Sequence, residues 1–374
     1  MKIFSNFESG SINVINADSP QNIQLSIPAD HNTDIAQWFH FRLETEAQQE
    51  HTLTITGLVT SAYPDGWKDY DVVASYDREE WFRIPASFDG DNLTFKISPE
   101  QGSIYFSYFA PYSYDRHTDL LHSAQTHYAC TLHTLGHTLD NNDMSMLQIG
   151  EYEEGKKRVW VIGRQHPGET MAEWFIEGML QRLLDPEDTV GRTLLDKAVF
   201  YVVPNMNPDG SIRGHLRHNA IGANLNREWQ SPTLERSPEV YYVREKMLET
   251  GMDMFLDIHG DEAIPYNFVA GSEGIPSYND KIKDQEESFK NALLTITPEF
   301  QDEFGYPKDA PGKANLTVGS NWVGEQFKCI AYTVEMPFKD HISHADELYG
   351  WSPDRSASFG HDTLAAVLAV LPKL

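Results

Sequence analysis

Up to about residue 113 the chain alternates apolar and polar side chains with a period of two. Phe39, Phe41 and Leu43 share one face, as do Leu53 and Ile55, Leu93, Phe95 and Ile97, and Ile104, Phe106 and Tyr108. Such runs predict half-buried strands, and turn signals such as Tyr63-Pro-Asp-Gly66 and Phe88-Asp-Gly-Asp91 separate them. The expected unit is an all-β antiparallel sandwich over residues 1–114. From residue 115 the texture changes. The runs ending at Gly163, His259 and Glu335 are apolar at successive positions, which predicts strands buried on both faces. After the first of them, Met171, Trp174, Phe175, Met179 and Leu183 recur at three- and four-residue intervals, the stripe of an amphipathic helix. Further helices are expected after Ser237-Pro238, around Lys281 to Leu294, and from His361 to Val370. Strand and helix in alternation predict an α/β domain over residues 115–374, with a mixed, mostly parallel sheet flanked by helices.

Each of these three apolar strands ends in a group out of place in a core. His166-Pro-Gly-Glu169 follows the first, with Pro167 suited to a helix start because it lacks an N–H. His259 ends the second and Glu335 the third. In open α/β sheets, ligands bind at the carboxyl ends of strands. A His and a Glu three residues apart, joined by a distant His, can supply three zinc-ligating atoms and leave one position open. An ionised Glu335 at a buried strand end is costly unless it meets a cation or water. A lone His-x-x-Glu match is expected about once by chance in such a chain; the coincidence of three strand ends carries the metal reading. Asp257, two residues before His259, projects to the same strand face and is a candidate to orient that imidazole; an ordinary turn hydrogen bond is the other reading. His133 and His137 have helical metal spacing, but they lie in a β-like stretch with Gly136 and are read as structural.

Between the ligand segments, Asn207-Pro-Asp-Gly210 opens a loop that continues through Arg217 and through Asn224-Leu-Asn226-Arg227-Glu-Trp229. Arginine's planar, permanently charged fork suits carboxylates and developing oxyanions, so this run could hold a peptide's terminal carboxylate; a solvated basic loop is the alternative.

The wider composition limits the partners. A net charge of −27 opposes binding to nucleic acid or to an anionic membrane. No apolar stretch approaches bilayer length, and the first residues lack the apolar core of a signal peptide. Two cysteines, Cys130 and Cys329, are too few for a disulfide framework and are read as reduced thiols. The cytoplasm is the expected compartment, and the sequence assigns no oligomeric state.

Taken in order, His166-Pro-Gly-Glu169-Thr, Asn207-Pro-Asp-Gly210, Asn224-Leu-Asn226-Arg227-Glu-Trp229, Asp257-Ile-His259-Gly and Thr333-Val-Glu335 resemble the carboxypeptidase A-type zinc metallopeptidases, and more closely their cytosolic carboxypeptidase subfamily. Phe7-Glu-Ser-Gly10, Gln37-Trp-Phe-His-Phe41 and the aromatic run Tyr105 to Tyr114 resemble that subfamily's N-terminal domain, so the likeness covers nearly the whole chain. It implies one zinc ion per chain on His166, Glu169 and His259, with Glu335 as general base and Arg217 as oxyanion stabiliser. Asn226 and Arg227 would bind the terminal carboxylate of a peptide or protein substrate, and Arg164 matches a family position expected at the substrate. The resemblance also implies a preference for acidic C-terminal residues, chiefly glutamate, for which Lys308 and Lys313 are candidate partners. Two departures stand out: Pro167 and Gly168 occupy the place where the carboxypeptidase A branch carries an Arg, and the substrate-capping Tyr does not align, leaving Tyr266 and Tyr306 as candidates.

The expected activity is zinc-dependent hydrolysis of a C-terminal peptide bond. A zinc amidase or deacylase acting on N-acyl amino acids or cell-wall peptides would use the same ligands, and a small-substrate panel separates the two. A catalytically silent binding protein is the rival of another class, and a zinc content near zero would favour it.

Overall fold

A computed structural model describes residues 1–374. Ten strands build the first part: β1 (Lys2–Phe4), β2 (Asn13–Ser19), β3 (Asn22–Ser26), β4 (His40–Glu44), β5 (His51–Ile55), β6 (Val72–Ser75), β7 (Phe82–Ile84), β8 (Ala86–Phe88), β9 (Leu93–Ile97) and β10 (Ser103–Ser107). They form two five-stranded sheets, ordered β1-β4-β10-β6-β7 and β2-β3-β5-β9-β8. The period-two residues face inward: Phe41, Leu53, Leu93, Phe95 and Phe106 are all buried. Phe106 of one sheet meets Phe95 of the other with ring centroids 5.3 Å apart, which makes the pair a sandwich. Pairing is antiparallel throughout, as alternation and short turns predict, except that β3 runs parallel to β5. The chain leaves β3 at Ser26 and crosses through the loop carrying Asp30 and then β4 of the other sheet before returning, so it re-enters in the same direction.

The second part carries β11 (Cys130–His137), β12 (Asp143–Ile149), β13 (Lys157–Gly163), β14 (Ala198–Val203), β15 (Met254–Asp261), β16 (Phe268–Ala270) and β17 (Ile330–Pro337) in one sheet, ordered β11-β12-β14-β13-β15-β17-β16. The central pairs β14–β13, β13–β15 and β15–β17 are parallel, and the outer ones are antiparallel. Eight helices accompany the strands: α1 (Tyr114–Ala124), α2 (Met171–Leu183), α3 (Thr189–Lys197), α4 (Pro208–Arg213), α5 (Pro238–Thr250), α6 (Asp280–Ile296), α7 (Gly319–Phe327) and α8 (Pro353–Val370). The apolar strands are buried on both faces, as expected. Val159 and Val161 pack with Phe175 and Phe359 from α2 and α8, and this core runs on without a break into the sandwich. Trp160 and Ile162 point the other way, to Val240 and Val243 of α5 and Val323 of α7.

Helix α8 begins eight residues before the expected His361. Ser352 accepts a hydrogen bond from the Arg355 amide and Pro353 occupies the first turn, a start signal that outranks the later apolar run. The early turns of α8 then lie hard against α2. A Cβ on Gly360 would come within 1.9 Å of the Phe175 carbonyl oxygen, and one on Gly178 within 2.0 Å of that of Ala357. His133 and His137 lie on β11, with His137 3.1 Å from Asp143 on the neighbouring strand and neither near the other candidate ligands. No helix is long and apolar enough to cross a membrane.

Candidate active site

Parallel strands end on the same edge of a sheet, and here that edge collects the chemistry. His259 and Glu335 are register partners on β15 and β17, and Gly163, which precedes the His166 loop, is paired with Ile258. His166 and Glu169 sit in the tight connection between β13 and α2, where the Glu169 amide bonds back to the His166 carbonyl at 3.2 Å. The donor atoms of His166, Glu169 and His259 lie within 4.8 Å of one another, and all three side chains are buried.

The orientations suit a metal. His166 Nδ1 is 2.6 Å from Glu169 Oε1 and His259 Nδ1 is 2.7 Å from Glu169 Oε2, so both Nδ1 atoms converge on one carboxylate. The far nitrogens face acceptors: His166 Nε2 lies 3.2 Å from Asn224 Oδ1, and His259 Nε2 lies 3.0 Å from Asp257 Oδ1. A proton on each Nε2, facing those oxygens, leaves both Nδ1 lone pairs for a cation. Asp257 thus stands beside the imidazole rather than in a turn. It is held by Gln165 Nε2, which donates to Asp257 Oδ2 at 2.6 Å, while Trp229 donates to Gln165 Oε1 at 2.8 Å. Burial, with Arg217 nearby, pushes His166 down to about 3, the neutral form a ligand needs. For His259 burial acts downward too, but Asp257 and Glu169 overcome it and raise the group. Burial alone would raise Glu169; the two imidazoles hold it well below the usual carboxylate range. Two imidazole nitrogens and a carboxylate are the donor set of a catalytic zinc site, where a bound zinc would take the place of the proton that Asp257 and Glu169 favour on His259.

Around this trio lies a cavity of about 590 Å³ lined also by Tyr63, Arg217, Asn226, Arg227, Glu262, Tyr306, Thr333 and Glu335. Burial pushes the Glu335 carboxyl well above its ordinary range, with His259 opposing and Glu169 and Asp261 adding. Its Oε2 is buried without a partner, and its Oε1 accepts from the Tyr306 hydroxyl at 3.1 Å. Of the two candidate capping tyrosines, only Tyr306 reaches the cavity; Tyr266 stacks on Phe304 with ring centroids 4.7 Å apart.

Arg217, Asn226 and Arg227 line the same cavity. Asn226 accepts the Gly319 amide at 2.8 Å and lies 3.5 Å from His259 Nε2. Arg227 is turned back onto the Asn226 carbonyl at 2.6 Å. Arg164 is placed elsewhere. Its guanidinium does not line the cavity but is buried beneath the ligand loop, where it pairs with Glu173 and donates to the carbonyls of Pro167 and Tyr112. The backbone at Arg164 is left-handed, with φ of 57°, and its side chain lies under the loop that carries His166. Lys308 is at the cavity wall, paired with Glu273 at 2.8 Å, whereas Lys313 does not line it.

Two contributors escaped the sequence reading because they come from the sandwich. Asp30 accepts the amides of Leu216, Arg217 and His218 at 2.7, 2.8 and 3.0 Å, and its Oδ2 lies 3.0 Å from His218 Nδ1. One carboxylate thereby fixes the backbone that carries Arg217. Tyr63 lies under the Arg217 guanidinium, 5.6 Å from its ring centroid. Asp30 carries no motif and precedes its partners by 186 to 188 residues, so only the Tyr63-Pro-Asp-Gly66 turn left any trace in the sequence.

Comparison with known proteins places this arrangement. Residues 3–109 match the family described as cytosolic carboxypeptidase N-terminal domain, and residues 118–357 match the zinc carboxypeptidase family. A metallo-carboxypeptidase from Burkholderia cenocepacia is 46% identical with a TM-score of 0.98, covering 100% of both chains. A metallo-carboxypeptidase from Pseudomonas aeruginosa, solved in complex with (2-guanidinoethylmercapto)succinic acid, is 44% identical with a TM-score of 0.97, again over 100% of both. Mouse cytosolic carboxypeptidase 6 is 25% identical over 90% of this chain, which spans 66% of that protein's length.

Proposed function

Since the chain belongs to the zinc carboxypeptidase family and is a zinc metallocarboxypeptidase with its metal on His166, Glu169 and His259, we propose the division of labour among its cavity residues and a preference for acidic C-terminal side chains. When bound, zinc supplies Lewis acidity, polarising the scissile carbonyl and easing ionisation of a water. Glu335 takes the proton of the attacking water and returns it to the leaving amine; a carboxyl raised by burial is suited to both tasks. Arg217 carries the negative charge that develops on the carbonyl oxygen. Asn226 and Arg227 hold the free carboxylate of the last residue, and Tyr306, whose hydroxyl lies 2.7 Å from Asp261 Oδ2 and 3.1 Å from Glu335 Oε1, closes over it. Arg164 stiffens the loop that presents His166. The observation that carries this reading is the convergence of the His-Glu-His donors, Glu335 and the two arginines on one cavity.

Support for the acidic preference comes from the far wall. Helix α7 points its first turn at the cavity, with Ser320 and Asn321 in the lining. The Gly319 amide is taken by Asn226, but those of Ser320 and Asn321 find no acceptor in the chain. Free amides at a helix N-terminus favour a carboxylate, and the Ser320 hydroxyl lies 3.0 Å from that of Thr333. Lys290 and Lys308 also line the wall, but each is paired, with Asp302 and Glu273, so they add less. The charge and the two free thiols fit a cytoplasmic enzyme.

Zinc-loaded protein incubated with peptides should release residues singly from the C-terminus, leave C-terminally amidated peptides uncut, and prefer Glu to Phe at the last position. Cleavage of amidated peptides at the same rate would remove the carboxylate-binding role of Asn226 and Arg227. Equal rates for Glu and Phe would remove the acidic preference.

A further inference from the structure

Glu262 follows the end of β15 by one residue, where the catalytic sheet meets the sandwich. The sandwich turn Pro64–Trp67 presses against it: a Cβ on Gly66 would come within 2.9 Å of Glu262 Cβ and 3.2 Å of its carbonyl oxygen. Glycine at this point lets the two parts close on Glu262 and leave it 5% exposed. Its side chain nevertheless lines the catalytic cavity.

Its neighbour Asp261 is fully engaged, accepting the Tyr306 hydroxyl at 2.7 Å and the amides of Ala263 and Ile264 at 2.8 and 2.5 Å. Glu262 is not: Oε1 is buried and has no hydrogen-bond partner, and Arg217 acts on it through space rather than by a hydrogen bond. Desolvation therefore pushes its carboxyl far above the ordinary range, with Glu169 adding. A buried carboxyl without a donor is costly, and nothing in the proposed catalytic steps uses it. What it lacks is a hydrogen-bond donor, which an ammonium or guanidinium group on the substrate would bring.

Position indicates which part of the substrate brings that cation. The carbonyl attacked in a carboxypeptidase belongs to the penultimate residue, so Arg217, at its oxygen, marks where that residue lies. Tyr63 lies under Arg217 and Glu262 against the Gly66 turn, both at the sandwich, while Asn226 is bonded to the first turn of α7, the wall proposed above for the last residue. We infer that Glu262, walled by Tyr63 and roofed by the Gly66 turn, forms a subsite for a cationic group on the penultimate residue of the substrate: a lysine or arginine side chain or, in a dipeptide, the α-ammonium group. This rests on the carboxypeptidase reading and on the role given to Arg217.

The test uses zinc-loaded full-length protein and acetyl-blocked tripeptides that share one C-terminal residue and carry lysine, norleucine or glutamate before it. A second arm compares a free dipeptide with its acetylated form. Wild type should favour lysine over norleucine, or the free over the acetylated dipeptide, by about tenfold in kcat/KM, as one well-placed ion pair gives. Glu262→Gln should bring that ratio close to one and Glu262→Asp should keep part of it, with zinc content and the circular dichroism spectrum confirming that both variants are folded. The lysine arm and the dipeptide arm identify the source of the cation. A wild type that cleaves all substrates without discriminating in either arm, or a Glu262→Gln variant with the wild-type ratio, overturns the subsite and leaves the carboxypeptidase standing. A wild type that cleaves no peptide overturns both.

Discussion

The strands of the sandwich alternate apolar and polar side chains while the central strands of the α/β domain are buried along their whole length, and only the second set places chemistry at its strand ends. In the catalytic sheet, β13, β14, β15 and β17 run the same way, so residues near or beyond their ends, His166, Arg217, His259 and Glu335, arrive on one edge. In the sandwich nearly every neighbour is reversed, and strand ends are shared between two opposite rims. Such a domain can reach the site only by loops, and it does so at Asp30, Tyr63 and Gly66. Parallel strands concentrate functional groups; antiparallel ones lend a few from outside.

The comparison can be broken by experiment. The largest effect is expected on the catalytic edge: Glu335→Gln should keep its zinc and lose about a thousandfold or more in kcat, the scale of a positioned acid–base group. Near-normal turnover in that variant would take Glu335 out of the mechanism. If the sandwich serves the site through Asp30, then Asp30→Ala should lower kcat by roughly ten- to a hundredfold, the cost of misplacing a catalytic group, with little change in KM or zinc content. Its effect should be non-additive with that of Arg217→Ala, and additive losses would show that Asp30 acts elsewhere. Packing comes next. Gly360→Ala forces α8 off the Phe175 carbonyl and should cost about 1–3 kcal/mol of stability, read as a lower midpoint in urea; an unchanged midpoint would mean that the α2–α8 contact yields freely.

The smallest effect is electrostatic and belongs to the α/β domain. Burial raises Glu239 to about 8 and Glu286 to about 7, both from an ordinary value of 4.5. A carboxyl raised in the folded state favours folding in its protonated form, so this contribution is complete below about pH 4.5 and fades as pH rises through 7 and 8. Glu239→Gln should therefore raise the melting temperature at pH 8.5 relative to wild type more than at pH 5. Equal shifts at both pH values would show that Glu239 is charged in the folded protein.

Much of this was legible in one dimension. Period-two runs marked Phe41, Phe95 and Phe106 as sandwich core because a pleated strand sends alternate side chains to opposite faces. Doubly buried strands ending in His166, His259 and Glu335 marked the metal edge because ionisable groups are tolerated beside a core only where they meet a cation or water. Local signals went only so far. Arg164, two residues from a ligand, read as a substrate contact, and its side chain lies buried under the ligand loop. The two candidate capping tyrosines could not be told apart in the sequence, and in the fold Tyr306 lines the cavity while Tyr266 does not.

The sequence by itself determined the two kinds of sheet, the order of the ligands and the chemistry of the donors, since these follow from periodicity, strand ends and side-chain type, all local properties. The tertiary structure alone decided that Asp30 would hold the loop of Arg217 and that Gly66 would seal Glu262 against the cavity. Those contacts join segments nearly two hundred residues apart, and no period or spacing along a chain encodes which distant loop will close upon another.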